Sequence, residues 1–525
     1  MSAIDVDKIQ TPMRETHASG LNLSYEWRVK QLKSLRRLIA ENKVLLCQAL
    51  KSDLGRHHGE TLAGELKPIE NEIKFVLKNL KKWMKAEAVP SSATMFPGFS
   101  YVHRKPLAAP GVLIIGPFNY PFFLTLKPLI GAFAGGNPAV IKPSELCMES
   151  GKIILELFSK YFQPGAAQVV LGSIPETNAL LEKSWGKVFF TGSQRVGKIV
   201  ASACAMTLTP IILELGGKCP VVVDENIRAK NLQNVADRII FTKTYNAGQT
   251  CVAPDTLFVH DSHVKELCTC LINAIETQFG KDPKQGELGR IVNAASAKRL
   301  QEMILEAEGD VTSSVVCGSS AECDTAIRYI CPTLILNPKP GAKVLKEEIF
   351  GPILPIVTFS SRSEVFKMIN GLGSHPLQFT VFTSQHKVFE EYTKKCPSSA
   401  AFRNDCLVQL SNHNLPFGGL GGSGIGHYSG KYSFDAFTHP FPSTYRPLGK
   451  FWDLNNLRCH PYGDWKGKFL DNHIIGLPDI PVLHMKRLVL STALAAALAS
   501  TLATVDEFRF AVAQCFRWIA DQLHE

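Results

Sequence analysis

None of the 14 cysteines stands in a CxxC pair, and no Cys/His cluster has the spacing of a zinc site. A zinc-stapled fold is thereby excluded, and no metal is expected in the site. The cysteines are strewn from Cys47 to Cys515 rather than packed as a disulfide scaffold, which fits a reducing, intracellular compartment. Cys268 and Cys270, two apart on a predicted helix, point to different faces. The opening MSAIDVDKIQ has no apolar core and carries acids, so it does not read as a secretory signal. Internal repeats are lacking, as are low-complexity tracts outside an alanine-rich stretch near the C-terminus. Charge is modest, at 20% charged residues and a net +10. Its densest basic cluster (Lys74, Lys78, Lys81, Lys82 and Lys85) reads as a solvated helical face, so nucleic acid is not an expected partner.

What is present is an ordinary globular composition, 45% hydrophobic over 525 residues, with room for two or three domains. Through about residue 90 the apolar residues recur at helical spacing. Leu32, Leu35, Leu38 and Ile39 share one face, and Ile69, Ile73, Val76, Leu77 and Leu80 share another. These stripes are core-facing seams. From about residue 110 short apolar runs alternate with helical segments: Gly111–Ile115, Ala139–Ile141, Val169–Leu171, Val188–Phe190 and Ile211–Leu213. That pattern predicts a parallel, doubly wound sheet, which presents ligands at the carboxyl ends of its strands. A second set, Pro220–Val223, Thr256–His260, Leu354–Phe359 and Gln378–Phe382, predicts a second α/β domain ending near Phe402. Residues 88–109 and the stretch after about 440 fit neither sheet and are read as a protruding hairpin with its pairing partner.

The C-terminal region differs in character. Leu488 to Val505 carries no charge and follows Lys486 and Arg487, the pattern of a tail anchor. Its many alanines, serines and threonines equally suit a buried or interface-covering helix. Phe508 to Leu523 reads as an amphipathic helix for a membrane surface or a partner subunit.

Four segments carry chemistry. In Asn246-Ala247-Gly248-Gln249-Thr250-Cys251, small residues before a turn leave a thiol open to close approach, although a lone cysteine is more often a small buried hydrophobe. Glu214-Leu215-Gly216-Gly217-Lys218 places a carboxylate at a strand end, where a salt-bridged or capping glutamate is the plain alternative. Phe189-Phe190-Thr191-Gly192-Ser193, followed by Val196-Gly197, is a strand, a turn and a helix start, suited to phosphate or nicotinamide contact although not a GxGxxG. Glu347-Glu348-Ile349-Phe350-Gly351-Pro352 sets a charged pair and an aromatic before a turn.

Taken in order, these segments resemble the aldehyde dehydrogenase superfamily. Pro117-Phe118-Asn119-Tyr120-Pro121 is similar to its oxyanion segment and Ile141-Lys142-Pro143-Ser144-Glu145 to its adenosine-ribose segment. Leu415-Pro416-Phe417-Gly418-Gly419, with Gly421 and Ser423-Gly424, is similar to its late glycine-rich loop. The resemblance spans roughly residues 20 to 440. Asn404-Asp405 and Gly430-Lys431-Tyr432-Ser433-Phe434-Asp435 resemble the class 3 branch, which includes fatty aldehyde dehydrogenases, several membrane-anchored, and fungal enzymes oxidising apocarotenals.

The resemblance implies an α/β aldehyde dehydrogenase fold. A Rossmann-like NAD-binding domain would span 1–87 and 110–216, and a catalytic domain 217–403. Bridging, oligomerisation and late cofactor-site segments would span 88–109 and 404–450, before an extension at 451–525 with the candidate membrane tail at 488–505. It implies oxidation of a hydrophobic aldehyde to the acid through a thioester on Cys251. Asn119 and the Cys251 N–H would hold the oxyanion, Glu214 would activate water, and Glu348 would contact the nicotinamide ribose or share the base role. The Cys251 thiol is expected to have a lowered pKa. Phe350 would pack near the nicotinamide. Lys142 and Glu145 would hold the adenosine ribose, and Glu145 would favour NAD while NADP is also accepted. Thr191, Gly192, Ser193, Val196, Gly197, Leu215 and Gly216 complete the cofactor set.

Phe118 stands where the family usually has Trp, and Gln409 where class 3 relatives often have His. Residues 225–234 read as a short surface-loop insertion. Phe118, Tyr120, Phe122 and Phe123 are candidate pocket walls, with core packing as the alternative. The branch implies a homodimer, cytoplasmic or held on the cytoplasmic face of a membrane. Competing readings are a CoA-acylating reductase or acyl transferase on the same fold, and a non-catalytic membrane-tethered homologue. Retention of Cys251, Asn119, Glu214 and Glu348 weighs against both.

Overall fold

The computed structural model describes residues 4–92, 95, 98–373, 375–446, 448, 460–473 and 479–481, with 484, 487, 488, 490–492 and 494 beyond. The described chain forms two compact units, residues 1–83 with 106–438, and residues 84–105 with 439–525.

The first unit holds two sheets. Strands β1 (Val112–Ile115), β2 (Ala139–Lys142), β3 (Ala167–Val169), β4 (Lys187–Gly192) and β5 (Ile211–Leu215) are all parallel, in the order β3-β2-β1-β4-β5. All four residues of β1 and of β2 are buried, as expected of strands covered by helices on both faces. The order reverses beside β1, and that switch point opens a crevice at the carboxyl edge.

The second sheet comprises β6 (Pro220–Val223), β7 (Thr256–His260), β8 (Ser314–Cys317), β9 (Thr333–Leu336), β10 (Ile353–Phe359), β11 (Phe379–Phe382) and β12 (Ala401–Arg403), in the order β8-β9-β10-β7-β6-β11-β12. Only β8 runs antiparallel. Alternation along β6 divides its side chains between two cores. Val221 and Val223 pack with Leu257, Ile239 and Leu271, whereas Val222 packs with Phe258, Phe379 and Tyr392. Each such fully buried side chain contributes roughly 1.5–3 kcal/mol. A late strand, β13 (Gly424–Ile425), returns to the first sheet and pairs antiparallel with β5.

Several expectations need correction. The third strand is Ala167–Val169, not Val169–Leu171, because Leu171 already lies in the partly exposed loop that follows. Strands β8, β9 and β13 went unread, being only two to four residues long with no polar alternation. Residues 225–234 are not all surface loop: Leu232 is fully buried and opens the helix Leu232–Thr244. Lys74, Lys78, Lys81, Lys82 and Lys85 are all exposed as read, but the helix ends at Trp83, so Lys85 lies beyond that face.

In the second unit, Glu87–Val89 pairs antiparallel with Phe99–Pro106, which in turn neighbours Thr438–Tyr445. Lys105 Nζ lies 3.4 Å from the Phe441 ring centre. Most of the candidate tail at 488–505, and all of 508–523, lies outside the described residues. Among the described residues no helix is long and apolar enough to cross a membrane.

Candidate active site

The nucleophile loop is built from the end of the helix Leu232–Thr244. Asn246 (φ 56°) and Ala247 (φ 51°) both take left-handed backbone, a conformation costly for residues with a Cβ, and both are buried. Side chains hold them there. The Asn246 N–H donates to Glu60 Oε1 at 2.7 Å, and its amide donates to the carbonyl oxygens of Asn119 (2.7 Å) and Gln249 (3.1 Å). Gln249 in turn donates to Asn246 and Arg290 carbonyls and accepts from the Val292 N–H at 2.9 Å. The outcome is a rigid loop that leaves Cys251 half-buried on a cavity wall.

Asn119 follows β1 across the crevice. Its side-chain amide donates to the Gln249 carbonyl at 3.0 Å, which uses one of its two N–H bonds and fixes the plane of the other. Beneath it, fully buried Arg56 donates to the Asn119 carbonyl at 2.6 Å and forms an ion pair with fully buried Glu65. Glu65 accepts from the N–H groups of Phe122 (2.8 Å) and Phe123 (2.9 Å) at the start of the helix Phe123–Gly135. Arg56, Glu60 and Glu65 were not legible as site residues. No motif marks them, and the only sequence signal is charge within a helical region whose other seams are apolar.

Glu214 lies on β5 opposite Thr191 on β4 and Gly424 on β13. It is 3% exposed, and neither carboxyl oxygen has a hydrogen bond among the described residues. Burial holds its pKa well above the ordinary range, opposed by the charge of Lys127. Glu348 is half-buried, and desolvation pushes it up to about 7, although the Gly217 N–H donates to it at 3.0 Å and favours the carboxylate. A Cβ at Gly216 would meet that carboxylate and displace it, so glycine leaves it room there. Lys218 is a structural staple: it pairs with Asp255 and donates to the Val344 and Glu347 carbonyls at 2.9 Å each.

The expected lowering of the Cys251 pKa is not found. Burial, then the charges of Glu214 and Glu348, push the thiol up to about 12; the N–H groups of Cys251 and Val252 favour the thiolate without outweighing them. Two nearby carboxylates and a desolvated sulfur make the protonated thiol the resting form.

The remaining sequence candidates line the carboxyl edge of the first sheet. Lys142 ends β2 and donates to Glu145 at 2.8 Å. Burial pushes Glu145 up, but the Lys142 hydrogen bond, its own backbone N–H and the Lys142 charge together hold the carboxyl below its usual value. Thr191 and Gly192 end β4, and Ser193 caps the helix Gln194–Met206 through the Val196 N–H. Gly197 and Leu215 face each other, since a Cβ at Gly197 would press on Leu215; they pack helix against strand. Phe350 meets Phe118 edge-on at 5.8 Å. The Thr191 hydroxyl is buried with no hydrogen bond among the described residues, and the helix Gln194–Met206 begins just after it. These are the donors and acceptors that a dinucleotide's ribose and phosphates need, so the residues fit such a cofactor.

On the other side of Cys251 lies a cavity of about 710 Å³. Tyr120, Phe123, Leu124, Phe241, Leu377 and Phe417 are among its walls. Of the four aromatics named from sequence, Tyr120 and Phe123 line it; Phe122 is fully buried in the core and Phe118 faces Phe350. Among the described residues no cluster of three or more His, Cys, Asp or Glu could hold a metal.

A dinucleotide crevice on one side of a thiol and an apolar chamber on the other define a nicotinamide-dependent oxidoreductase with a covalent step. Residues 1–440 match the profile of the aldehyde dehydrogenase family, and the chain belongs to that family, in its class 3 branch. It is 39% identical over 462 residues to aldehyde dehydrogenase family 3 member B2 of Mus musculus, covering 87% of this chain and 93% of that protein. It is 40% identical over 448 residues to the 4,4'-diaponeurosporen-aldehyde dehydrogenase of Staphylococcus aureus, covering 84% and 93%. A solved substrate-bound AldH from Staphylococcus aureus superposes with a TM-score of 0.83 at 36% identity, covering 89% of this chain and 99% of that one. The protein is an aldehyde-oxidising enzyme that uses NAD or NADP. Acyl transfer and a non-catalytic role are not favoured.

Proposed function

We propose that the substrate is a hydrophobic aldehyde, medium- or long-chain aliphatic or apocarotenoid, and that Cys251, Asn119, Glu214 and Glu348 carry the reaction. The observation behind this reading is the apolar chamber of about 710 Å³ that opens on Cys251. Relatives support it: one carries an apocarotenoid aldehyde in its printed name.

Glu348, near 7, is matched to take the Cys251 proton at neutral pH. The sulfur then bonds to the aldehyde carbon and the carbonyl electron pair moves onto oxygen. The remaining N–H of the Asn119 amide and the Cys251 N–H meet that oxyanion. NAD or NADP, when bound, supplies the hydride acceptor; Lys142, Glu145, Thr191, Gly192, Ser193, Val196, Gly216, Glu348 and Phe350 would hold it, with Gly197 and Leu215 behind them. Oxidation leaves a thioester on Cys251. Glu214 takes a proton from water, hydroxide adds to the acyl carbon, and the sulfur leaves as the thiolate.

In this reading residues 1–87 and 110–216 form the cofactor domain and 217–403 the catalytic domain, while 88–109 and 404–450 form the bridging and oligomerisation segments. A homodimer is supported by Thr438–Tyr445, a mostly exposed strand at the end of its sheet's strand order. Attachment to the cytoplasmic face of a membrane rests on the uncharged run Leu488 to Val505 alone.

The test is NADH formation across aldehydes from acetaldehyde and benzaldehyde to hexadecanal and an apocarotenal, with Cys251→Ala alongside. The expected result is kcat/KM that rises with apolar size and vanishes in the variant. Preference for the short aldehydes would overturn the substrate class, and an active Cys251→Ala would overturn the nucleophile.

A further inference from the structure

Lys127 lies one turn into the helix Phe123–Gly135, which follows the Asn119 segment, and is 5% exposed. A buried lysine is ordinarily paired, because desolvating an ammonium is costly. This one makes no hydrogen bond and no ion pair within 4 Å among the described residues. Its Nζ instead lies 5.1 Å from the ring centres of both Phe123 and Tyr428, and all three residues line the cavity. The aromatic faces offer the cation a partial substitute for water.

Burial lowers the Lys127 pKa, and the carboxylates that oppose this are Glu72, from the helix Lys67–Trp83, and Glu214, from β5. They differ in what else they have. Glu72 already contacts His413 at 2.5 Å and accepts from the Gly430 N–H at 2.6 Å. Glu214 has no hydrogen bond among the described residues, and Lys127 is the charge that favours its ionised form. The other titratable groups facing Glu214 are the Cys251 thiol and the Tyr428 hydroxyl, both of which it raises further.

We propose that Lys127 is a positioning residue for deacylation: its ammonium, held between Phe123 and Tyr428, keeps the buried Glu214 carboxylate in the basic form that takes the proton from water. The inference rests on the Cys251 and Glu214 roles given above. It has a definite sign. Removing the cation leaves Glu214 harder to ionise, so hydrolysis of the thioester needs a higher pH, whereas thioester formation is spared.

The experiment compares the wild type with Lys127→Met, Lys127→Gln, Lys127→Arg and Glu214→Gln, each with its melting temperature recorded. Steady-state turnover is followed from pH 6 to 9, and the acyl adduct on Cys251 is quantified by intact-protein mass spectrometry after quenching. Lys127→Met is expected to accumulate adduct at pH 7, with turnover down about tenfold and its rising limb displaced upward by a pH unit or more. Lys127→Arg is expected to stay near wild type. Lys127→Gln, neutral and of similar reach, takes the place of the methionine variant if that one does not fold. Adduct in Glu214→Gln beside an unmoved pH limb in the neutral Lys127 variants would overturn this inference alone. Absence of adduct in Glu214→Gln would overturn it together with the reading it rests on.

Discussion

Arg56 Nη2 donates to the carbonyl oxygen of Asn119 at 2.6 Å from a position with no solvent exposure. The same guanidinium pairs with fully buried Glu65, which caps the helix that follows Asn119. One buried charge pair thus fixes both ends of the oxyanion segment. Replacing Arg56 by Leu leaves the Glu65 charge unpaired in the interior and should lower stability by about 3–5 kcal/mol. Urea unfolding checks this, and the double variant with Glu65→Leu should recover part of the loss. A single-variant loss below about 1 kcal/mol would show that the pair does not hold the segment.

Glu348 makes a prediction about pH. Burial raises its folded pKa to about 7, whereas an unfolded glutamate titrates near ~4.3. The native state therefore holds this proton more tightly than the unfolded chain. Stability is lost progressively as pH rises between those two values, and the full cost is present above about 7. Glu348→Gln removes that cost and keeps an acceptor for the Gly217 N–H. It should match wild type near pH 4 and exceed it by at most about 4 kcal/mol at pH 8. The raised Glu214 acts in both proteins and cancels in the difference. Melting curves that run parallel across this range would refute the assignment.

The Cys251 thiol, pushed up to about 12 by burial and then by Glu214 and Glu348, should be slow to alkylate in the cofactor-free enzyme. Iodoacetamide at pH 8 should modify it well below the rate of an ordinary cysteine, whose pKa is about 8.5. Glu348→Gln should raise that rate several-fold, since one of the opposing charges is gone. Peptide mass spectrometry at Cys251 gives the rate directly. Fast modification of the wild type at neutral pH would show that the sulfur is already ionised at rest.

Much of the architecture is written locally. β1, β2, β4 and β5 each announce themselves as apolar runs buried on both faces, and β6 and β7 were placed to the residue. Short motifs likewise nominate Cys251, Glu214, Glu348 and Asn119 as candidates, because each chemical role demands a particular residue type at a strand end or tight turn. β13 is the counterexample. Two residues pairing with β5 across two hundred positions carry no local signal, yet they set Gly424 opposite Glu214.

The sequence by itself determined the parallel α/β plan and the family and nominated the candidate reacting groups, since these follow from periodicity and from ordered motifs. Only the tertiary structure decided the electrostatics among them. The thiol is raised rather than lowered, Lys127 lies buried by two aromatic rings with no ion pair among the described residues, and Arg56 reaches Asn119 across sixty-three positions. A pKa depends on desolvation and on which charges lie within a few ångströms, and both are properties of packing between segments remote in the chain.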